Sequence, residues 1–233
     1  MNRSNTLWLI PARGGSKGIP RKNVKPFCGR PLVCRAVDQA LHCASPGDYI
    51  FVSTDSEEIR EAAESCGIKV PFLRPVSLAS DTASSYDVII NAINGLSLRG
   101  MTFDRVVLLQ PTSPLRTEED ILQALKLWSP AVDMVVSVCP AKTNPYYNGF
   151  ETDSDGMLHI SKGEGRYTRR QDAPDVWEYN GAVYVMTVKS LLNTPMSSFK
   201  KIIPSVMSSS RSVDLDTPTD WLIAETLFNQ QNP

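Results

Sequence analysis

Apolar residues in the first 140 positions form short continuous runs, and longer amphipathic stretches separate these runs. The runs span residues 7–10, 49–53, 70–72, 105–109 and 134–138. Short apolar runs of this kind predict buried strands. In the stretches between them, apolar residues recur every three or four positions, which predicts helices at about 31–41, 56–65, 88–96 and 121–128. Strand followed by helix is therefore the predicted repeating unit.

This alternation decides the fold class. Parallel strands need crossover connections, and a sheet covered by helices on both faces has strands that are apolar throughout. We therefore predict an α/β fold with a three-layer αβα arrangement, in which a mainly parallel sheet is the middle layer. Ligands of such sheets bind beyond the carboxyl ends of the strands. A further strand at 182–187 and a closing helix over 221–228 complete the predicted elements.

Between residues 140 and 178 the pattern changes to aromatic, glycine and charged residues, which is more typical of hairpins than of βα units. We predict an inserted arm at 140–178. Residues 1–139 and 179–233 then form one α/β domain.

Composition narrows the class of protein. The 233 residues are 42% hydrophobic, enough for one substantial core, and the formal net charge of −1 gives no general attraction for nucleic acid. Five cysteines without a CxxC pair indicate neither a disulfide framework nor a zinc site. Residues 7–10 are too short an apolar run for a secretory signal or a membrane span. We expect a cytoplasmic protein that binds no nucleic acid and no membrane.

The first predicted strand runs directly into a segment rich in glycine and basic residues at positions 11–23. Glycines let backbone amides approach phosphate oxygens, and the cations neutralise a polyphosphate. The segment matches neither the Walker A spacing nor the GxGxxG fingerprint. The alternative, a plain surface turn, leaves this concentration of cations at a strand end unexplained.

Five stretches carry a more specific resemblance. In chain order they are LIPARGGSKGIPRKN, RPVSLASDTASS, LLQPTSPLR, YNGAVYV and VDLDTPTDW. Together they resemble the N-acylneuraminate (CMP-sialic acid) cytidylyltransferase family. The resemblance implies a Rossmann-like nucleotidyltransferase fold, in which residues 1–139 and 179–233 are the nucleotide-binding catalytic domain and the arm at 140–178 binds the sugar and forms a homodimer. It also implies the substrates CTP and an acidic nine-carbon sugar, with Mg²⁺ or Mn²⁺ as cofactor.

The same resemblance implies a nucleotide site. Its residues would be Ala12, Arg13, Gly14, Gly15, Ser16, Lys22, Asn23, Arg74 and Ser85. Arg13 and Lys22 would contact the triphosphate and act in catalysis, whereas the last three would hold the cytidine end. Arg74 could instead be a solvated loop cation, and Ser85 could cap a helix.

Asp214 and Asp216 are two residues apart in a predicted extended segment, so both carboxylates should point to one side. Two hard oxygen ligands on one face suit Mg²⁺, which takes one or two carboxylates together with substrate phosphate and water. Exposed aspartate pairs are often only solvated, but the resembling string VDLDTPTDW implies a catalytic, metal-binding pair here.

The resemblance places the sugar against Gln110, Arg170 and Tyr184. A planar guanidinium is the natural bidentate partner of the sugar carboxylate. Glu178, however, stands where some sialic acid members have a second arginine, and Tyr147 where some have lysine. The arm instead resembles members that act on bacterial nonulosonic acids such as legionaminic acid.

The reaction implied is attack of the anomeric 2-hydroxyl of the sugar on the α-phosphate of CTP, with release of pyrophosphate. No side chain stands out as a general base. Two alternatives remain open from the sequence: CMP transfer to an eight-carbon deoxy acid, against which LASDTASS and QPTSPLR argue, and a catalytically silent nucleotide-binding regulator, against which the intact aspartate pair and Lys22 argue.

Overall fold

The computed structural model describes residues 5–231. The strands are β1 (Thr6–Pro11), β2 (Pro26–Phe27), β3 (Arg30–Pro31), β4 (Tyr49–Ser53), β5 (Arg105–Leu109), β6 (Met134–Pro140), β7 (Phe150–Thr152), β8 (Leu158–Ile160), β9 (Trp177–Thr187) and β10 (Ile202–Val206). The α-helices are α1 (Leu32–Cys43), α2 (Glu57–Glu64), α3 (Ser85–Ser97), α4 (Glu118–Leu127), α5 (Val188–Asn193) and α6 (Pro218–Gln231).

Six strands form the central sheet in the order β10-β6-β9-β5-β1-β4. All neighbours are parallel except β9, which runs antiparallel between β5 and β6. The helices pack in two groups, α1 with α2 and α4, and α3 with α5. The predicted three-layer α/β fold with a mainly parallel sheet is confirmed.

The chain leaves β1 toward β4 on one side and later returns to β5 on the other side of β1. Side chains of these strands are almost completely buried, because helices cover both faces. The order of strands reverses at this point, and a crevice opens there beyond the carboxyl ends of the strands.

Local signals fix where the helices start. Ser84 caps α3, because its hydroxyl accepts a hydrogen bond of 3.0 Å from the Asp87 amide. Thr117 and Asp120 form a reciprocal capping box at the start of α4. The alternative that Ser85 is the cap is wrong, since Ser85 is already the first residue of α3.

Three elements differ from prediction. Residues 70–72 form no strand, because a run of three apolar residues around Pro71 has no ladder partner and instead packs beside the core. The strand β10 and the short helix α5 were not predicted. Pro204 interrupts the apolar pattern of β10, and it is tolerated because β10 is an edge strand.

The segment between β6 and β9 contains the β7–β8 antiparallel hairpin. Its turn is held by the Asp153 carboxylate, which accepts hydrogen bonds from the amides of Asp155 and Met157. The predicted hairpin character of this arm is therefore seen, although β9 already begins at Trp177. The proposed division into domains stays a prediction. Across residues 5–231, no helix is both long and apolar enough to cross a lipid bilayer.

Candidate active site

A cavity of about 300 Å³ lies beyond the carboxyl ends of β1 and β5. Its lining includes most of the predicted nucleotide-site residues, namely Arg13, Ser16, Lys22, Asn23, Arg74 and Ser85, together with Gln110, Asp214 and Asp216. Residues from distant parts of the chain thus meet where the fold predicts a ligand.

The glycine-rich segment forms one wall of this cavity. Asn23 is buried, and its amide nitrogen donates to the Arg13 carbonyl over 2.9 Å, which closes the segment into a loop. The buried amide oxygen of Asn23 has no partner among the described residues, so it can accept a hydrogen bond from a ligand. Ala12 and Gly14 face away, since their amides donate to the Ser53 carbonyl and the Asp55 carboxylate.

Ala12, Gly14 and Gly15 are therefore not among the residues that line the cavity, in contrast to the rest of the predicted nucleotide site. Ala12 is completely buried. Their part in nucleotide binding stays a prediction.

Arg74 forms the opposite wall and is only 5% exposed. Its guanidinium lies 3.7 Å from the Asp55 carboxylate, and burial lowers its pKa. The Arg74 amide also donates to the Thr54 carbonyl over 2.8 Å. Arg74 is thus a fixed, buried cation of the cavity wall, and the alternative of a solvated loop cation is wrong. Asp55, which contacts both Arg74 and the glycine loop, was not predicted, because no sequence pattern marks it.

The backbone between the two aspartates is fixed by packing and by a hydrogen bond. Leu215, between the two aspartates, is fully buried in a small core with Ile19, Leu115 and Trp221, and its amide donates to the Thr112 carbonyl over 2.8 Å. A Cβ atom on Gly18 would stand 2.0 Å from the Asp216 carbonyl oxygen, so only glycine permits this approach.

Opposite charges meet at this pair. The Lys22 ammonium donates to the Leu215 carbonyl and lies 3.6 Å from the Asp216 carboxylate. Desolvation is the main effect on Asp214 and raises its pKa; repulsion by Asp216 adds to it, while the Thr112 hydrogen bond and Lys22 act in the opposite direction. The carboxylates thus form a concentrated negative charge with one lysine as counter-ion.

The donor set fits a divalent cation. Both carboxylates line the same cavity, and the described residues contain no group of three or more His, Cys, Asp or Glu that could hold a metal alone. Two hard oxygens leave coordination positions for phosphate and water, which is the arrangement that Mg²⁺ favours.

A second, larger cavity of about 730 Å³ lies beside the first. The predicted sugar-binding residues Arg170 and Tyr184 line it, and the arm contributes Lys142 and Glu178. The Arg170 guanidinium donates to the Lys142 carbonyl. Tyr184 packs edge to face against Tyr179, with ring centroids 6.3 Å apart.

The two cavities share Gln110, Asp214 and Asp216. A ligand in either cavity therefore reaches the same amide and the same carboxylates. This shared boundary is the position at which two substrates could react.

Behind Gln110 lies the buried guanidinium of Arg116, which is 2% exposed. It donates to the carbonyls of Gln110 and Ala182, over 2.5 and 3.1 Å. It thereby ties the loop after β5 to β9. Burial lowers the pKa of Arg116 to about 9, so the group still carries its proton at neutral pH.

A bulge in β9 forms the floor of the second cavity. The register between β6 and β9 shifts at Ser137, where Gly181 adopts a positive φ of 75°. Asn180 fills the bulge, because its oxygen accepts from the Ser137 hydroxyl at 2.6 Å and its nitrogen donates to the Ser212 hydroxyl at 2.8 Å. The dipeptide Asn-Gly within the apolar strand pattern is the only sequence signal of this feature.

The chain is similar to proteins of one known family. A family model described as Cytidylyltransferase matches residues 7–182. A CMP-N,N'-diacetyllegionaminic acid synthase from Legionella pneumophila is 34% identical over 223 residues, which cover 95% of each chain. A pseudaminic acid cytidylyltransferase from Campylobacter jejuni is 31% identical over 222 residues, again 95% of each chain.

An N-acylneuraminate cytidylyltransferase from Streptococcus agalactiae is 34% identical over 219 residues, which cover 93% of this chain and 51% of that protein. Among solved structures, a CMP:2-keto-3-deoxy-manno-octonic acid synthetase complexed with CTP superposes with a TM-score of 0.69 at 18% identity, covering 98% of this chain and all of the other. That likeness supports the fold alone. On the family match and the relatives together, the chain belongs to the cytidylyltransferase family.

Proposed function

We propose that the protein transfers CMP from CTP to the anomeric 2-hydroxyl of a nonulosonic acid and releases pyrophosphate. The observation that carries this proposal is the pair of adjoining cavities that share Gln110, Asp214 and Asp216. One cavity is lined by cations suited to a nucleotide, and the other by the arm residues suited to an acidic sugar.

On the nucleotide side, Arg13 and Lys22 neutralise the triphosphate. Arg74, Ser85 and the unpartnered amide oxygen of Asn23 hold the cytidine end. A buried polar group left unpaired by the wrong base is costly, so this arrangement supports discrimination between nucleotides.

Asp214 and Asp216 would hold Mg²⁺ or Mn²⁺ at the boundary of the cavities. When bound there, the cation would neutralise phosphate charge and lower the pKa of the attacking hydroxyl. The residues of this chain orient the two substrates: Gln110 contacts the sugar at the boundary, and Lys22 stabilises negative charge that develops on the phosphate. The new bond joins the sugar oxygen to the α-phosphorus as the bond from that phosphorus to pyrophosphate breaks.

The carboxylate of the sugar would pair with Arg170 in the second cavity. Glu178 lines the same cavity, and its carboxylate has the Cys139 thiol at 3.7 Å. An acidic side chain at this position supports a sugar tail with hydrogen-bond donors. The Legionella relative is named for a legionaminic acid and the Campylobacter relative for pseudaminic acid, whereas the Streptococcus relative, also 34% identical, is named for an N-acylneuraminate. On the acidic side chain of Glu178 we propose a sugar of the legionaminic or pseudaminic type.

We also propose a homodimer formed through the arm. Three large apolar side chains of the hairpin region, Phe150, Met157 and Leu158, are between 55% and 71% exposed. Apolar groups clustered on one projecting hairpin are typical of a surface that a second subunit covers. Sedimentation of the wild type and of a Phe150→Ser, Leu158→Ser double variant tests this, and a monomeric wild type would contradict it.

The reaction itself is tested by incubating the protein with CTP, Mg²⁺ and one candidate sugar at a time. The sugars are legionaminic, pseudaminic and N-acetylneuraminic acids and the eight-carbon 3-deoxy-octonic acid. Mass spectrometry should detect a CMP-nonulosonate together with one pyrophosphate per product. Product from the eight-carbon acid alone would refute the sugar class, and CTP binding without any product would favour a silent regulator.

A further inference from the structure

Asp81 lies in the exposed stretch between the Val76–Ala79 turn and α3, and it faces the glycine-rich loop. Its carboxylate forms two ion pairs across the nucleotide cavity. One oxygen is 2.8 Å from the Arg13 guanidinium, and the other is 2.5 Å from the Lys17 ammonium. The proposed function assigns no role to this carboxylate.

One partner of Asp81 is Arg13, to which the proposed function assigns the triphosphate, and the other is Lys17, a second cation of the same glycine-rich loop. Asp81 and Arg13 both line the nucleotide cavity. Lys17 is 83% exposed, and this carboxylate is its ion-pair partner among the described residues. The two cations hold the pKa of Asp81 below its ordinary value, so the group is an anion at neutral pH.

We propose that the Asp81 carboxylate competes with phosphate groups for the cations Arg13 and Lys17. An incoming polyphosphate must displace Asp81 from these cations, and after the reaction the same carboxylate weakens retention of pyrophosphate. The inference rests on the proposed function for its place in turnover. The competition itself depends only on the ion pairs with Arg13 and Lys17.

The competition lowers the affinity of every ligand that binds both cations by the same factor. A ligand without phosphate avoids this cost. Weak binding of pyrophosphate favours its departure, because the carboxylate returns to the cations as the product leaves. The gain is in release of product and not in the chemical step.

The test compares wild type with Asp81→Asn, which removes the charge and keeps the size. Equilibrium binding is measured for inorganic pyrophosphate, inorganic tripolyphosphate, CTP and cytidine. Because exposed ion pairs are individually weak, we expect Asp81→Asn to bind the three polyphosphates about threefold to tenfold more tightly, by similar factors. Cytidine affinity should stay within about twofold of the wild-type value.

Two variants serve as controls. Asp81→Glu keeps the charge and should return pyrophosphate affinity toward the wild-type value. Glu61→Gln removes one negative charge from an exposed position of α2 and should change none of the four affinities. In turnover assays, pyrophosphate should inhibit Asp81→Asn at a correspondingly lower concentration than wild type.

Tighter binding is diagnostic, because a residue that merely shapes the loop would weaken binding when changed. Unchanged or weaker pyrophosphate and tripolyphosphate binding by Asp81→Asn, including no binding by either protein, overturns the inference. Tighter binding of cytidine as well would also overturn it, since the effect would not be confined to phosphate. Absence of CTP binding in the wild type would instead refute the proposed function, while the two inorganic probes still test Asp81.

Discussion

Replacement of Asp120 by asparagine should weaken both the fold and the catalytic pair, although Asp120 lines neither cavity. Asp120 is 4% exposed at the start of α4. Its two oxygens accept hydrogen bonds from the Arg211 guanidinium over 2.9 and 3.0 Å. Arg211 lies three residues before Asp214, so this ion pair anchors the segment that carries the metal-binding aspartates.

The magnitude follows from burial. Removing one partner of a fully buried ion pair costs about 3–5 kcal/mol. The Arg211 side chain is 33% exposed and can regain water, which reduces the cost. Asparagine also keeps an oxygen for the Thr117 amide, so the cap survives in part. We expect about 2 kcal/mol of lost stability, which lowers Tm by roughly 4–8 °C for a chain of this size.

Calorimetry measures the loss, and Glu61→Gln serves as the control for removal of an exposed charge, with a Tm within about 2 °C of wild type. Arg211→Met and the double variant complete a cycle in which the coupling energy should be about 1–2 kcal/mol. A displaced aspartate segment should lower kcat roughly tenfold, since catalysis depends on position at the ångström scale. A Tm within 2 °C of wild type and a coupling energy under about 0.5 kcal/mol would refute the reasoning.

Three further predictions concern the cavities directly. Asp214→Asn or Asp216→Asn should lower turnover by roughly two orders of magnitude, which corresponds to about 3 kcal/mol of transition-state stabilisation, without lowering Tm. Near-normal rates at limiting Mg²⁺ would show that the pair has no catalytic role. Burial and Asp216 raise the pKa of Asp214, so protons compete for it above the ordinary 3.8, and the Mg²⁺ concentration for half-maximal rate should rise as pH falls from 7 to 5. That rise should be smaller in Asp214→Asn, because in this variant only protonation of the CTP phosphates still makes the required Mg²⁺ concentration depend on pH. Arg170→Ala should raise KM for the sugar at least tenfold and leave KM for CTP within twofold, with partial recovery in Arg170→Lys.

The strands and helices of the sheet could be predicted because their burial imposes a regular pattern. The run at 105–109 is apolar at almost every position, and it is a central strand covered on both faces. The run at 70–72 is also apolar, but it has only three residues, with a proline in the middle, and no neighbouring strand pairs with it. Periodicity reports local burial, whereas strand pairing depends on distant partners that the local pattern does not contain.

The same limit applies to the site. Arg13, Lys22 and Asn23 lie in one short segment, and the charge and glycine content of that segment predicted a shared site for them. Asp81 is 68 residues from Arg13, and the ion pair between them forms only because the fold brings the two loops to one edge of the sheet. Resemblance to a family marked the segment around Asp81 without indicating what its carboxylate contacts.

The anchors of the aspartate pair explain how this chain tolerates two carboxylates that repel each other. Desolvation first, and repulsion by Asp216 in addition, raise the pKa of Asp214, so the charged pair costs free energy in this arrangement. The segment that carries the pair is held by three contacts: the buried Leu215 side chain, the Leu215 amide on the Thr112 carbonyl, and Arg211 on Asp120. Gly18 closes the remaining side, because any side chain there would collide with the Asp216 backbone. Binding of a divalent cation would remove the repulsion, so the metal-free pair is the higher-energy state, and the packing energy of the small core around Leu215 keeps it ready for the ion. Replacing Leu215 by alanine should therefore impair metal-dependent turnover more than the equally small change Leu227→Ala at the rim of that core, although neither side chain touches a substrate.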